Sequence, residues 1–329
     1  MVTPSLAPSN NAGRITLERI EAAAQIIDPV FVRTPQWVCE PLGEELGTRI
    51  VLKAETLNPI RSFKGRGADW LVHNLPPGVA LMCASAGNFG QAMAYACRAR
   101  GVPLTVYAAA KANPLKIARM RAMGARVVLE GEDFDAAKAL ARETATRVRA
   151  RFVEDSRDPE PTEGAGTIAL EWLAFPERLD ALLVPLGNGA LLAGIGTVIK
   201  ARRPETRTVA VGASGAPAMI ESLQSGRMVS HDHINTIADG IGVRVPVPEA
   251  LDDLRGLVDE LILVPDDDIL RAMRLLHRHA GVVAEPSGAA GLAAVVQEPA
   301  RFGGQTVGTV ICGSNLTPEQ MREWLAEPS

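Results

Sequence analysis

The sequence predicts an α/β protein of two lobes, each a mainly parallel open sheet covered by helices. Three observations predict it. Short apolar runs alternate with helical segments through most of the chain. The runs read as strands buried on both faces, as in parallel sheets sandwiched between helices. The alternation, in a chain of 329 residues, also continues too long for one sheet of ordinary size.

In chain order, residues 1–13 are polar, carry Pro and Ser and have no apolar core, so they read as a frayed tail rather than a signal peptide. Strands are predicted at 50–53, 80–83, 104–107, 126–129, 181–185, 208–212 and 306–311, each a brief continuous apolar stretch. Helices are predicted at 91–100, 114–123, 133–149, 191–202 and 266–279. There is no internal repeat and no low-complexity linker. In open α/β sheets ligands sit beyond the carboxyl ends of strands, so the turns after 83, 185 and 311 are where chemistry is expected.

Composition narrows the function. A hydrophobic fraction of 47% and a charged fraction of 22% are ordinary for a globular protein. A net charge of -4 with dispersed basic residues gives no reason to expect nucleic acid or an anionic membrane as partner. Two uncharged stretches, 74–97 and 181–199, are broken by Pro, Asn and Gly and are not membrane spans; they are expected to line a buried ligand. Cys39, Cys83, Cys97 and Cys312 lie far apart without metal-ligand or disulfide spacing, which suits a reducing, cytoplasmic setting. His231 and His233 read as surface residues, and no metal site is expected.

Four segments carry chemistry. The run Asn58-Pro-Ile-Arg-Ser-Phe-Lys-Gly-Arg-Gly-Ala68 sets Lys64 beside Phe63, with Arg61 and Arg66 close in sequence. Neighbouring cations and an aromatic disfavour a charged amine, and a neutral amine can attack a carbonyl. Alone, the run reads equally as a solvated phosphate-binding loop. In Ser85-Ala-Gly-Asn-Phe-Gly-Gln91 a hydroxyl, backbone amides and a helix N-terminus form a carboxylate cradle, or else a simple helix cap. In Pro185-Leu-Gly-Asn-Gly-Ala-Leu-Leu-Ala-Gly194 a glycine turn opens a helix, a setting for phosphate. A dinucleotide fingerprint is disfavoured there, because Leu192 stands in place of its third glycine and Gly212-Ala213-Ser214 lacks the ribose-binding acid. Cys312 ends the last strand, as a weak polar contact or a small buried hydrophobe. An imine lysine, a cup for one phosphate, a carboxylate cradle and a ring contact together suit pyridoxal 5'-phosphate with an amino acid.

From about Ile15 to Leu316 the chain resembles the threonine/serine dehydratase (ammonia-lyase) group of the fold-type II, tryptophan synthase β-like, pyridoxal-phosphate enzymes. The matching runs are Thr34-Pro35, Ser62-Phe-Lys-Gly-Arg-Gly-Ala68, Ser85-Ala-Gly-Asn88, Gly187-Asn-Gly-Ala-Leu191, Ile237-Ala-Asp-Gly-Ile-Gly-Val243, Glu285-Pro-Ser-Gly-Ala289 and Cys312-Gly-Ser-Asn315. The resemblance implies that Lys64 forms the Schiff base and later removes the Cα proton, with Phe63 packed near the cofactor. It implies that Asn88 meets the phenolic oxygen, and that Ser85, Ala86, Gly87 and Asn88 hold the substrate. Gly187, Asn188, Gly189, Ala190 and Leu191 would hold the phosphate, and Cys312 would face the pyridine nitrogen. A thiol there makes the ring a weaker electron sink, which favours β-elimination from a β-hydroxy amino acid such as L-threonine or L-serine. The leaving hydroxyl would take its proton from the cofactor phosphate, and the product would be a 2-oxo acid with ammonia. β- or γ-replacement, as in cysteine or threonine synthases, is the alternative; a silent amino-acid or cofactor binder is the other.

The resemblance further implies a homodimer, a large domain formed by residues 1–55 and 156–329, and a small domain at 56–155. Four departures bear on activity. Ala86 stands where related racemases have a hydroxyl, Phe89 where His is usual, and Arg61 where Gly is common. No carboxylate lies between Val209 and Met219, where some members bind a divalent ion; a monovalent cation on backbone carbonyls stays open. The chain ends soon after the last strand, so feedback control through a C-terminal domain is not expected.

Overall fold

Each predicted strand forms to within about one residue of its expected ends, and three further strands join them. The structure, a computed structural model, describes residues 13–112 and 114–326; the tail reading of residues 1–12 lies outside them. The strands are β1 (Gln36–Val38), β2 (Arg49–Ala54), β3 (Leu81–Ala84), β4 (Leu104–Ala108), β5 (Arg126–Leu129), β6 (Arg151–Val153), β7 (Ala181–Pro185), β8 (Arg207–Ala213), β9 (Glu260–Val264) and β10 (Thr306–Ile311).

They make two sheets. One has the order β1-β2-β10-β7-β8-β9 and the other β5-β4-β3-β6. All neighbours pair in parallel except β1, which runs antiparallel to β2. The chain leaves the six-stranded sheet after β2, builds the smaller sheet from β3 to β6, and returns at β7. Leu183, Val184, Val209 and Val211 are fully buried, as expected of strands covered on both faces. Each such side chain contributes about 1.5–3 kcal/mol on burial. Of the three that escaped prediction, β1 and β6 have three residues each and are only partly buried, so they carry little apolar signal, whereas β9 carries the apolar run Leu261-Ile-Leu-Val264 and is not among the predicted strands.

Neither uncharged stretch is a span. Residues 74–97 run from the end of one helix through β3 into another helix, and among the described residues no helix is long and apolar enough to cross a membrane.

Three helices set the lobes in register. Lys64–His73, Pro159–Leu173 and Ala190–Arg202 pack side by side. The glycines in them lower helix propensity but allow backbone contact. A Cβ on Gly164 would lie 2.4 Å from Gly67 Cα, and one on Gly194 would lie 2.2 Å from Thr162 O. The middle helix therefore fixes the distance between the helix beginning at Lys64 and the one beginning at Ala190. Gly164→Ala is expected to destabilise the protein by about 1–3 kcal/mol through overpacking, read from the urea midpoint, and to weaken cofactor binding with it.

Candidate active site

The backbone delivers Lys64 to the junction of the two sheets. After β2, the Asn58 side chain staples the loop: its Oδ1 accepts from Ile60 N (3.1 Å) and Ser62 N (3.3 Å), and its Nδ2 donates to Glu55 O (2.9 Å). Ser62 then bridges Gly313, and Phe63 N donates to Cys312 O at 3.1 Å. The helix starts at Lys64, beside the end of β10.

Lys64 Nζ lies 2.6 Å from Asp155 Oδ2 and 4.5 Å from the centre of the Phe63 ring. This corrects the expectation that flanking cations crowd the amine. Arg61 is exposed, and Arg66 points into the protein interior, fully buried. There its guanidinium grips Glu55 with two bonds of 2.8 Å and donates to Glu171 Oε1 (2.6 Å) and Thr167 Oγ1 (2.9 Å). Lys53 completes this buried network through Glu171 and Thr34 O. Helical spacing puts residues 64 and 66 on different faces, so sequence proximity did not mean contact.

The turn after β3 is held by Ser85, whose Oγ accepts from Gly87 N (3.1 Å) and Gly90 N (3.0 Å). The capping role is thus present beside any ligand role. Asn88 opens the helix Asn88–Arg100 and spans the lobes. Its Nδ2 donates to Glu285 Oε1 at 2.6 Å, and its Oδ1 accepts from Asn315 Nδ2 at 2.8 Å. Glu285 Oε2 also accepts from Asn315 N at 2.9 Å. Burial, and then the charge of Asp239, push the Glu285 carboxyl above the usual range.

The turn after β7 wraps Gly187 to Gly189 into the start of the helix Ala190–Arg202. Gly189 has φ +101°, and a Cβ on Gly187 would lie 2.9 Å from Gly240 O. Ala190 N donates to Ser156 Oγ at 3.2 Å, tying this turn to the end of β6. First-turn amides of a helix and its dipole favour an anion. On the far wall, the Cys312 Sγ contacts Ser287 O at 3.6 Å. Burial, then the nearby Glu285, push its thiol pKa up, so it is neutral.

Lys64, Phe63, Ser85, Ala86, Gly87, Asn88, Gly187, Asn188, Gly189, Ala190, Leu191 and Cys312 all line one cavity of about 430 Å³ between the sheets. That is the size range of small-ligand sites. Of the two uncharged stretches, the turns reach this cavity. His231 is elsewhere, paired with Glu221 at 2.7 Å, and His233 is exposed. All four cysteines are free and buried.

A sequence profile of the family described as pyridoxal-phosphate dependent enzyme matches residues 27–313. The chain belongs to that family. Among relatives, the L-threonine ammonia-lyase of Thermotoga maritima is 36% identical over 305 residues, covering 92% of this chain and 76% of that protein. The biosynthetic L-threonine dehydratase of Bacillus subtilis is 31% identical over 316 residues, 94% of this chain and 75% of that one. Among solved structures, a threonine deaminase from T.th. superposes with a TM-score of 0.86 at 34% identity, covering 92% and 99% of the two chains. Maize serine racemase gives 0.88 at 25% identity, covering 94% and 96%. The two-sheet architecture is the fold-type II arrangement of such enzymes.

The residues of this pyridoxal-phosphate enzyme fit the cofactor. The turn after β7 is free of side chains where a Cβ on Gly187 would collide, and the Lys64 amine lines the same cavity. On the cavity wall, Ser287 Oγ and Asp155 Oδ1 are buried without a protein partner. Sequence reasoning missed Asp155 as a wall residue and Ser156 as the anchor of the glycine turn, and named Glu285 and Ser287 only within a matching run. Asp155 and Ser156 follow β6, the strand that escaped prediction; a strand read there would have placed them at its carboxyl end. Gly187→Ala is expected to weaken cofactor affinity about tenfold, since overpacking of about 1–3 kcal/mol falls on the cup; titration of the apoprotein by absorbance measures it.

Proposed function

We propose that this enzyme is a lyase that removes the hydroxyl and amino groups of a β-hydroxy amino acid, L-threonine or L-serine, giving a 2-oxo acid and ammonia. One observation carries the reading: Lys64 and the glycine turn from Gly187 to Gly189 line one cavity between the sheets, in a chain 36% identical over 92% of its length to an L-threonine ammonia-lyase.

Lys64 would hold the cofactor covalently. Backbone amides from Gly187 to Leu191, with the helix dipole behind them, would hold its phosphate. Asn88, fixed by Glu285 and Asn315, would meet its phenolic oxygen, and neutral Cys312 its ring nitrogen. Phe63 would pack beside it. The bound cofactor supplies electron withdrawal from the substrate Cα. This chain's residues then do the rest. Ser85 and the amides of Ala86, Gly87 and Asn88 hold the substrate carboxylate, and the amine of Lys64, once released, takes the Cα proton. The neutral thiol cannot protonate the ring as a carboxylic acid would, which supports elimination over transamination.

We further read residues 56–155, which contain the four-stranded sheet, as the small domain, and the remainder as the large one. We infer a cytoplasmic homodimer, and sedimentation at the dimer mass would test the oligomeric state. The test of function is 2-oxo acid release from L-threonine and L-serine with no added nucleophile. Release supports the lyase. Turnover that depends on an added nucleophile would favour replacement chemistry instead.

A further inference from the structure

Asp155 is the cavity residue whose surroundings the proposed function leaves unused, and the inference drawn from it rests on that function. Lys64 acts as base through its amine, and Nζ is 2.6 Å from Asp155 Oδ2, while Asp155 Oδ1 is buried without a partner. The next residue, Ser156, has φ +66°, a left-handed conformation that a non-glycine residue adopts only when its surroundings hold it. Arg14 Nη2 donates to Ser156 O at 2.8 Å, and Ser156 Oγ accepts from Ala190 N at 3.2 Å. A strained turn clamped from both sides therefore presents Asp155 to the lysine.

The other charged groups nearby are committed elsewhere. Glu154 pairs with Lys138 at 3.1 Å and with Arg142 at 2.6 Å, and lies 3.6 Å from Arg157. Lys116 pairs with Asp239 across the cleft at 2.9 Å. Glu285 is bonded to Asn88 and Asn315, and Cys312 is neutral. Asp155 is the carboxylate left for Lys64.

We propose that Asp155 is the positioning residue of Lys64, holding its free amine in place and supplying the countercharge when that amine takes the Cα proton. In that step the Cα–H bond breaks, an N–H bond forms on Nζ, and the electron pair stays at Cα. The resulting ammonium rests against the Asp155 carboxylate instead of standing uncompensated in the cavity.

The test is Asp155→Asn in the holoenzyme, with thermal melting to confirm folding. The expected result is a kcat about ten- to a hundredfold lower with KM within about threefold of wild type. The visible band of the bound cofactor should also titrate about one pH unit or more lower, because an anion beside the nitrogen favours its protonated form. Asp155→Glu should recover part of both. Asp155→Ala gives an independent arm, in which added formate should raise kcat. An unmoved band with kcat within about twofold of wild type, in Asn and Ala variants alike, overturns the proposal. So does a raised KM with intact kcat, which would make Asp155 a contact for the substrate side chain. Failure of wild type itself to show a cofactor band or release oxo acid would strike the proposed function, and is separable from either result.

Discussion

Replacing Lys64 by Ala is expected to lower oxo acid formation by at least about a thousandfold, because one substitution removes both the covalent hold on the cofactor and the base at Cα. Folding should survive. Lys64 is the first residue of its helix and its side chain lies on the cavity wall, so its loss opens no space in the core. The expected variant melts within a few degrees of wild type, still binds the cofactor through the cup, and does not turn over. Steady-state assay with L-threonine, paired with a melting curve, checks this. Turnover near the wild-type rate would remove Lys64 from the chemistry.

Arg66→Met is expected to do the opposite, striking stability first. The guanidinium is fully buried between Glu55 and Glu171, and Glu55 is fully buried too. Removing the cation leaves buried carboxylate charge uncompensated, at a cost of about 3–5 kcal/mol. That is a large share of the roughly 5–15 kcal/mol typical of a domain, and urea unfolding would read it. The network also sets an acid limit. Burial opposes the charge of Glu171, but the hydrogen bonds and charges of Arg66 and Lys53 outweigh it and hold its pKa at about 2, against an ordinary 4.5. Burial draws Lys53 down as well, opposed by its contact with Glu171. The stabilisation from Glu171 is therefore complete above about pH 4.5, is lost as pH falls towards about 2, and amounts to about 3 kcal/mol. Wild type should lose stability across that window, and Arg66→Met should show a weaker dependence there.

The strands of both sheets were legible where burial on both faces left continuous apolar runs, as in β7 and β10. β6 was not, because three residues with a charged Arg151 at one end leave no pattern. That omission hid Asp155 and Ser156, since their significance depends on standing at a strand end. The turns that line the cavity were legible because a Gly-bearing turn between a strand and a helix leaves backbone amides exposed, a pattern that is local in sequence. Arg66 shows the converse. Its charge suggested an influence on Lys64 two residues away, but its partners Glu55 and Glu171 are brought to it by packing of β2 and the helix Pro159–Leu173. Spacing in sequence carries no trace of such contacts. Likewise, Glu285 sits next to Asn88 only because the two sheets meet there.

Everything proposed for the cavity depends on Lys64 carrying the cofactor. The direct measurement is borohydride reduction of the holoenzyme, followed by proteolysis and peptide mass analysis. Lys64, Lys116 and Lys138 all line the cavity, so the position of the label discriminates among them. The expected result is one reduced cofactor adduct, on the peptide containing Lys64 and absent from Lys64→Ala. An adduct on Lys116 or Lys138 in the wild type, or none at all, would contradict it.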